Sequence, residues 1–489
     1  MAENISIHLE HNSSVPLYMQ IAQQLTEQIR AGNMVAGSKL PAIRTLAAEL
    51  KVNTVTIVKA YEELKQAKLA VSRAGSGTYV APGAPPTPNF ISAEDPTGLT
   101  LLDQGQLEIP PGTINFASAT PDPDLLPVTL VKQLINQVID RDGGNAFAYE
   151  DSRGYPPLRA AVAAALTKLG IKVSSNNIQV ISGAQQGIDI IAKSLINPGD
   201  TVLVEEPTYP GALAAFRSRG ARIAAVPLQE DGPDLNILQH LLATTRPRFF
   251  YLMPAFQNPT GVSYSREKKE GLLQIAARYH LTIVEDDYLR ELSFNQVDLT
   301  PLAALAPPEV PVLYLKSFSK VLLPGLRLAF LVVPPAVGQE ILTAKHTSDI
   351  FTSGLFQRVF ELLLRDDIWE QQMTRVHKLY KERYLTLITA LRQELPPSIT
   401  FSLPAGGLNF WLRLPDNQDS FSLYQEALKE GVIIAPGSTF TSTGRPSPYF
   451  RLTYASSSPA EIKHGVTRLA TACRRLLGEI PQPDYMPFV

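Results

Sequence analysis

Beyond residue 112 the chain alternates between short β-rich runs and amphipathic helical stretches, which limits its fold more than any other feature. The β-rich runs are NIQVIS, DTVLVEE, ARIAAVP, RFFYLMP, LTIVEDD, PVLYLKS and LRLAFLVV, separated by stretches such as QQGIDIIAKSLI. This alternation predicts an α/β domain with a mostly parallel sheet covered on both faces. In such sheets a ligand binds beyond the carboxyl ends of the strands. From about residue 375 to 485 the pattern becomes a small α+β subdomain.

The N-terminal part of the chain has a different pattern. Within residues 12–80, PLYMQIAQQLTEQIRAG, PAIRTLAAEL and TVTIVKAYEELKQA predict three helices, and LAVSRAGSGTYV predicts a hairpin. Three helices and a hairpin form a winged helix-turn-helix. Residues 81–112 contain seven prolines, four acids and no Lys or Arg, which predicts an extended linker. We therefore expect an N-terminal domain over 12–80, a linker over 81–112 and a large domain over 113–485.

Composition and charge indicate an ordinary globular protein. The chain is 45% apolar and 18% charged, and its run LAFLVVPPAV is too short to span a bilayer, so we expect no membrane association. The N-terminus lacks a secretory signal, and the single cysteine, Cys473, fits a reducing compartment, so we expect a cytoplasmic location. Residues 1–80 hold eight basic residues against six acids, and the rest holds 36 against 40, which favours a polyanion partner for the N-terminal domain. No metal-ligand motif is present, so no metal site is predicted.

Four polar clusters follow β-rich runs, where an α/β sheet binds its ligand. They are Gly183-Ala184-Gln185-Gln186, the turn AFQNPTG with Asn258, Glu285-Asp286-Asp287-Tyr288, and Ser317-Phe318-Ser319-Lys320. Each cluster alone is compatible with a helix cap, a turn or a solvated loop. Together they supply an amine for a Schiff base, an acid for a pyridine nitrogen, and amides and hydroxyls for a phosphate. They therefore predict pyridoxal 5′-phosphate (PLP) as a bound cofactor.

The motifs SGAQQ (182–186), EPTYPGA (206–212), QNPTG (257–261), EDDY (285–288) and SFSK…PGLRLAF (317–330) resemble those of fold-type I aminotransferases. The resemblance implies that Lys320 forms the Schiff base with PLP. It assigns the pyridine nitrogen to Asp286 through the family's D-x-Y spacing, although physical reasoning alone leaves Asp286 and Asp287 open. It also implies donors to the phenolic oxygen, a stacking ring and a phosphate cup. The donors to the phenolic oxygen are Asn258 and Tyr288, and the stacking ring is Tyr209. The phosphate cup consists of Ala184, Gln185, Ser317, Ser319 and Arg327.

Two residues outside these motifs gain roles from the same resemblance. Arg451, in PYFRLTYAS, is similar to the arginine that grips the α-carboxylate of a substrate or effector. Tyr149, in AYEDSRGYPPLR, is similar to the tyrosine that reaches the phosphate across a dimer interface.

The stretch from LPAIRTLAAEL to GSGTYV resembles a GntR-type winged helix. The third helix would then enter the major groove of operator DNA, while basic residues and the wing contact phosphates. The positions we assign to DNA binding are Arg44, Asn53, Thr54, Thr56, Lys59, Gly75 and Gly77. The family usually has Ser-Arg where this chain has Asn53-Thr54, so a DNA-contacting arginine is absent. The winged helix, the linker and the aminotransferase-like large domain together resemble the MocR subfamily of bacterial transcriptional regulators.

These resemblances imply a PLP-dependent regulator that binds double-stranded operator DNA and senses a small amino compound or PLP itself. A working aminotransferase with a DNA-binding head shares every motif, so enzymatic activity stays open. A cofactor-free scaffold is disfavoured, because all the cofactor-contacting residue types are present. We expect a homodimer, because an operator usually offers two half-sites and fold-type I sites lie at a dimer interface. The subfamily is described as head-to-tail, which a linker of this length permits.

Overall fold

In a computed structural model, the chain forms two compact units, residues 1–92 and residues 93–489. The structure describes residues 7, 9, 16–30, 38–67, 69–73, 77–81, 112–121, 126–318, 320–321, 324–365 and 368–480. Gly75, Ser319 and most of the predicted linker lie outside these residues. None of the helices in the described part is long and apolar enough to cross a membrane.

The first unit contains three helices followed by a hairpin, which confirms the predicted winged helix-turn-helix. Its elements are α1 (Leu17–Arg30), α2 (Ile43–Glu49), α3 (Thr54–Gln66), β1 (Ala70–Arg73) and β2 (Gly77–Val80). The two strands pair antiparallel. Apolar stripes of the three helices meet in one core that includes Ile21, Leu46 and Ile57. Because the core takes one side of α3, the opposite side of this helix faces outward.

A tight turn and a helix cap fix where α3 begins. Lys51 has a left-handed φ of 52°, which reverses the chain after α2. The side chain of Asn53 then accepts a hydrogen bond from the Val55 amide at 2.9 Å. This bond satisfies one of the amide groups that a helix start leaves without an intrahelical partner. The sequence KVNT therefore sets the angle between the two helices of the helix-turn-helix.

The second unit is built on a large sheet. After β3 (Ile114–Asn115), the strands of this sheet are β4 (Ile178–Ile181), β5 (Thr201–Glu206), β6 (Arg222–Gln229), β7 (Gly232–Pro233), β8 (Phe250–Leu252), β9 (Ile283–Asp287), β10 (Val312–Ser317) and β11 (Ala329–Val332). Their spatial order is β4-β11-β10-β9-β8-β5-β6-β7. From β10 to β6 neighbouring strands are parallel, whereas β11 runs antiparallel to both β10 and β4. The predicted mostly parallel sheet is confirmed.

Helices cover both faces of this sheet. They are α4 (Val128–Asp142), α5 (Pro156–Lys168), α6 (Ala184–Leu195), α7 (Pro210–Ser218), α8 (Leu235–Thr244), α9 (Arg266–Tyr279), α10 (Leu302–Leu305), α11 (Gly338–Asp349) and α12 (Gly354–Arg365). Helices α6, α7 and α11 pack on the face that carries Val284 and Leu315. Helices α5, α8, α9 and α12 pack on the other face, against residues such as Ile283 and Tyr314. Successive residues of β9 and β10 therefore point into two different cores.

A smaller subdomain follows. It contains α13 (Ile368–Glu394), β12 (Thr400–Phe401), β13 (Asn409–Arg413), α14 (Ser420–Lys429), β14 (Val432–Ile433), β15 (Ala435–Pro436), β16 (Tyr449–Thr453) and α15 (Pro459–Leu476). Strands β12, β13, β16 and β15 form an antiparallel sheet in that order. Strand β14 instead pairs in parallel with β3, and Phe116 lies fully buried in the same core. Residues just after the linker are thus part of this subdomain, which the prediction of about 375–485 did not include.

Candidate functional site

The predicted cofactor residues lie at one edge of the large sheet. Strands β4, β5, β8, β9 and β10 all end at this edge, because β4 and β10 are both antiparallel to β11 and hence parallel to each other. Ala184, Tyr209, Tyr288 and Lys320 each come within a few residues of one of these strand ends. Strand β11 begins at the same edge, which places Arg327 there as well. The fold therefore gathers residues that are far apart in sequence.

Asp286 supplies an acceptor at this edge. Its carboxylate is buried, and its Oδ2 accepts a hydrogen bond from the Tyr251 hydroxyl at 2.6 Å. Its Oδ1 is also buried but has no hydrogen-bond partner among the described residues. Burial raises the pKa of Asp286 to about 7, although the Tyr251 bond acts in the opposite direction. A buried acceptor of this kind suits the ring N–H of a protonated pyridine, so the residues present fit PLP.

Asp287 is engaged elsewhere. It lies on the opposite face of β9, where Arg290 donates to Oδ2 and Lys316 lies 3.3 Å from Oδ1. The Tyr314 hydroxyl donates to the same carboxylate at 2.5 Å. Burial alone would raise the pKa of Asp287, but Arg290 and Lys316 outweigh burial and hold the pKa low. Both of its oxygens are therefore used by the protein itself, which favours Asp286 as the cofactor's partner.

The start of α6 and Arg327 form a cradle for an anion. Gly183 precedes the helix with φ 93°, and the amides of Ala184 and Gln185 open its first turn. The Arg327 guanidinium donates from Nη2 to the Ser182 carbonyl at 3.1 Å. A Cβ on Gly183 would lie 2.4 Å from that nitrogen, so only glycine allows this approach. A helix N-terminus beside an arginine is a favourable place for a phosphate group. Ser317, also assigned to the cup, is buried at the end of β10.

A polar network that the sequence did not reveal supports this cradle. The Ser182 hydroxyl and the Gln186 side-chain amide donate to Oδ2 of Asp349 at 3.0 and 2.7 Å. Lys345 pairs with the other oxygen of Asp349. These contacts fix the turn between β4 and α6 from the end of α11. The separation of 167 residues between Ser182 and Asp349 explains why no sequence pattern indicated them.

Tyr209 and Tyr288 pack against the same core as Ala184, on the Asp286 face of the sheet. The Tyr209 hydroxyl donates to Gln185 Oε1 at 3.1 Å, which fixes the ring near the helix start. The Tyr288 hydroxyl donates to the Phe256 carbonyl at 2.7 Å and accepts from Asn409 Nδ2 at 2.7 Å. Asn409, at the start of β13, is a further site residue that sequence reasoning missed.

Asn258 and Arg451 contact each other directly. Arg451 is fully buried on β16, and its Nη1 donates to Asn258 Oδ1 at 2.8 Å. Its Nη2 donates to the carbonyl of Ala117, and its guanidinium carbon lies 4.8 Å from the Phe440 ring centroid. The sequence predicted both residues but not their contact, which joins the small subdomain to the edge of the large sheet.

Another buried carboxylate, that of Glu205, positions the turn that carries Asn258. Glu205 accepts hydrogen bonds from the Met253 amide at 3.1 Å and from Gln257 Nε2 at 3.2 Å. The Tyr264 hydroxyl donates to its other oxygen. Burial raises the pKa of Glu205 to about 7. Glu205 thus ties β5 to residues 253–257, immediately before Asn258.

Two further predicted positions, Lys320 and Tyr149, also lie among the described residues of this unit. Lys320 is half-buried in the turn that follows β10. Tyr149 is 85% exposed and packs against Phe351, with ring centroids 5.5 Å apart. The structure of one chain therefore leaves the Tyr149 side chain accessible, as its predicted role across a dimer interface requires.

A cavity of about 1050 Å³ lies on the other face of the sheet. It is lined by one side of α5 and by Tyr314 and Lys316, which alternate along β10 with Leu315 and Ser317. The charges at its floor are paired with one another, since Lys316 lies 2.8 Å from Glu291 as well as near Asp287. This cavity is separate from the Asp286 edge and does not bear on cofactor binding.

In the first unit, most predicted DNA-contacting residues are accessible. Arg44, Thr54 and Lys59 are exposed, and Thr56 is half-buried. The side-chain oxygen of Asn53 is occupied as the cap of α3, so only its amide nitrogen is left for DNA.

Lys39, a basic residue that the sequence did not single out, lies beside the hairpin strand β2. Gly77 has φ 122°, and a Cβ there would lie 2.8 Å from the side chain of Lys39. The ammonium of Lys39 lies 5.9 Å from the Tyr79 ring centroid. Lys39 therefore places a positive charge beside the turn end of β2.

Two family models match the chain. Residues 111–469 match "Aminotransferase class I and II", and residues 17–80 match "Bacterial regulatory proteins, gntR family". The first match covers well over half of the chain and lies within the second unit. It implies PLP as the cofactor, in agreement with the buried Oδ1 of Asp286 and the anion cradle.

Relatives and solved structures agree with both matches. The chain is 30% identical to the HTH-type transcriptional regulator YdfD of Bacillus subtilis, over 94% of this chain and 97% of the relative. It is 28% identical to the "Probable rhizopine catabolism regulatory protein MocR" of Rhizobium meliloti, over 95% of each chain. The crystal structure of the α-aminoadipate aminotransferase LysN from Thermus thermophilus, complexed with N-(5′-phosphopyridoxyl)-L-leucine, matches with a TM-score of 0.71 and 36% identity, over 76% of this chain and 94% of that chain. The chain therefore belongs to the MocR subfamily of GntR-type transcriptional regulators, in which a winged helix-turn-helix is fused to a fold-type I aminotransferase-like domain.

Proposed function

We propose that this regulator binds PLP at the Asp286 edge, senses a small amino compound there, and binds operator DNA through its winged helix. The observation that carries the proposal is the buried Oδ1 of Asp286, which has no partner among the described residues. An unpaired buried acceptor costs free energy, and the ring N–H of a bound cofactor offsets that cost. An aminotransferase-like domain that served only as a scaffold would not need a buried carboxylate oxygen without a partner.

The surrounding residues are assigned the roles that the resemblance to fold-type I aminotransferases implies. PLP, when bound, supplies an aldehyde that condenses with amines, and Lys320 is the amine that we assign to holding it. Asp286 would accept from the ring nitrogen, Tyr209 would stack on the ring, and Asn258 and Tyr288 would donate to the phenolic oxygen, for which the Tyr288 hydroxyl would turn from the Phe256 carbonyl. The phosphate cup consists of Ala184, Gln185, Ser317, Ser319 and Arg327.

Arg451 indicates the chemical class of the effector. Its guanidinium is fully buried, held in place by Asn258 and Ala117 and covered by Phe440, and a fixed guanidinium suits a paired hydrogen bond with a carboxylate. We therefore propose that the effector is a small compound that carries both an amine and a carboxylate. PLP itself is the other candidate effector, and it would act through Lys320 without engaging Arg451.

The DNA-binding role suggests the partners and the location. Arg44, Lys59 and the wing would contact phosphates of double-stranded operator DNA, which is found in the cytoplasm of a bacterium. A homodimer would present two heads to two half-sites, and the exposed Tyr149 would complete the partner's phosphate site. A head-to-tail arrangement is part of this proposal.

An active aminotransferase is the second candidate function. It is favoured by the similarity to the LysN structure and by the presence of both Lys320 and the buried Arg451. Steady-state transamination with a panel of amino acids and keto acids separates the two functions. Repeated turnover would establish the enzyme, whereas a single equivalent of converted cofactor would favour the sensor.

The regulator function is tested by Lys320→Ala. Wild-type protein should show visible absorbance on addition of PLP, and a candidate amine should change its operator affinity by about 5- to 150-fold. The variant should lack the lysine-linked absorbance and still bind operator DNA, but it should not respond to the amine. A wild-type protein that takes up no PLP, or an equal response in the variant, would contradict the proposal.

A further inference from the structure

The exposed side of α3 carries two valines. Val55 is 58% exposed and Val58 is 37% exposed, while Ile57, Ala60, Tyr61 and Leu64 on the other side are buried in the core. Single exposed apolar residues are common on protein surfaces. Here, however, two of them lie three residues apart, on one face of the helix that enters the major groove in this family of folds.

The charges around these valines suit DNA. From Lys51 to Tyr61 the chain contains two lysines and no acid, and Lys59 is exposed on the same face as Val55 and Val58. The positive end of the helix dipole lies at Thr54, the first residue of α3. This end of the helix therefore attracts a polyanion and offers apolar groups between positive charges.

The types of side chain present also limit how bases can be recognised. Residues 54–65 of α3 contain no Arg, Asn or Gln, three of the side chains that make paired hydrogen bonds to purines in the major groove. The C5-methyl group of thymine is the apolar feature of that groove. Two residues three positions apart are separated by about 4.5 Å along a helix axis, close to the roughly 3.4 Å rise between base pairs.

We propose that Val55 and Val58 contact thymine methyl groups, so that each operator half-site carries thymine on the base pairs that this face of α3 covers. This inference rests on the proposed operator binding and specifies how the sequence is recognised. Apolar contacts discriminate thymine from cytosine, which lacks the methyl group, and from purines, which present hydrogen-bonding groups in its place.

The test uses the full-length protein and DNA selected from a random duplex pool. In the enriched duplex each thymine is replaced in turn by deoxyuridine, which keeps base pairing and removes only the methyl group. Wild-type affinity should fall about fourfold at one or two positions in a half-site, the factor expected for burying one methyl group. Val55→Ala and Val58→Ala should bind the thymine duplex more weakly, and each should be indifferent to deoxyuridine at one of those positions.

Val71→Ala provides a matched control, because Val71 is also 37% exposed but lies on β1 and not on α3. It should keep the full dependence on the methyl groups. Binding by the wild type that is unaffected by every deoxyuridine, or methyl dependence retained in both α3 variants, would overturn the inference while leaving operator binding intact. If no duplex were bound, operator binding itself would fail, and the inference with it.

Discussion

Replacing Asp286 by asparagine should stabilise the cofactor-free protein at neutral pH and weaken PLP binding. Burial raises the pKa of Asp286 from its ordinary value of 3.8 to about 7. A carboxyl with a raised pKa in the folded state favours folding while it is protonated. This contribution is complete below pH 3.8 and is lost as the pH rises through about 7. The difference of about three pH units corresponds to about 4 kcal/mol.

Asparagine cannot ionise, so the variant does not undergo this loss, and its carbonyl oxygen can still accept from Tyr251. Its NH₂ group replaces the carboxylate oxygen that has no partner among the described residues, at a cost of about 1–2 kcal/mol. We therefore expect the free energy of unfolding of Asp286→Asn to exceed that of the wild type by about 2–3 kcal/mol at about pH 8. At about pH 5 the two should be nearly equal.

Urea unfolding followed by tryptophan fluorescence measures this difference, because both tryptophans, Trp369 and Trp411, lie in the second unit. In parallel, PLP titration should show binding about 10- to 100-fold weaker, because the charged acceptor is lost. Asp287→Asn is the control. It breaks the ion pairs with Arg290 and Lys316 and should destabilise the protein by about 3–5 kcal/mol at both pH values. A difference between Asp286→Asn and the wild type that is the same at both pH values would refute the reasoning.

Three further tests concern other parts of the protein. Gly183→Ala should weaken PLP binding in an absorbance titration, since its Cβ would lie 2.4 Å from Arg327 Nη2, whereas Gly144→Ala, with nothing within 4 Å, should not. Arg44→Ala and Lys59→Ala should each lower the salt slope of operator binding by about one, and unchanged slopes would contradict their phosphate contacts. Arg451→Lys should retain PLP but give a weaker spectral response to amines that carry a carboxylate than to those that do not; equal losses for both would argue against its assigned role.

The architecture could be predicted because its signals are local. Alternating apolar periods mark the strands and helices of the second unit, and the proline-bearing stretch marks the boundary of the first. The subdomain to which Phe116 belongs could not be found this way. Phe116 belongs to the small subdomain because its amide donates a hydrogen bond to the Ile433 carbonyl at 2.8 Å, more than 300 residues along the chain.

The site could be predicted only where a motif carries its residues. Motif spacing indicated Asp286, but the reason that Asp287 differs lies in partners on other elements, namely Arg290, Tyr314 and Lys316. The contact of Tyr251 could have been anticipated in part, because a hydroxyl inside an apolar strand indicates a buried hydrogen-bond partner. No sequence pattern indicated Asn409, since its contact with Tyr288 spans 121 residues.

The contact between Arg451 and Ala117 has a mechanical consequence. Ala117 lies in the first described stretch after the linker, which is anchored by hydrogen bonds from Ile114 to the Gly431 carbonyl at 2.9 Å and from Phe116 to that of Ile433. The two terminal nitrogens of Arg451 already donate to Ala117 and Asn258. A carboxylate bound by both nitrogens would share them with Ala117 and Asn258, because each terminal nitrogen of a guanidinium carries two hydrogens. With the effector role that we propose for Arg451, one guanidinium would contact both the effector and Ala117, so binding of the effector is expected to change how firmly residues 114–117 are held against the small subdomain.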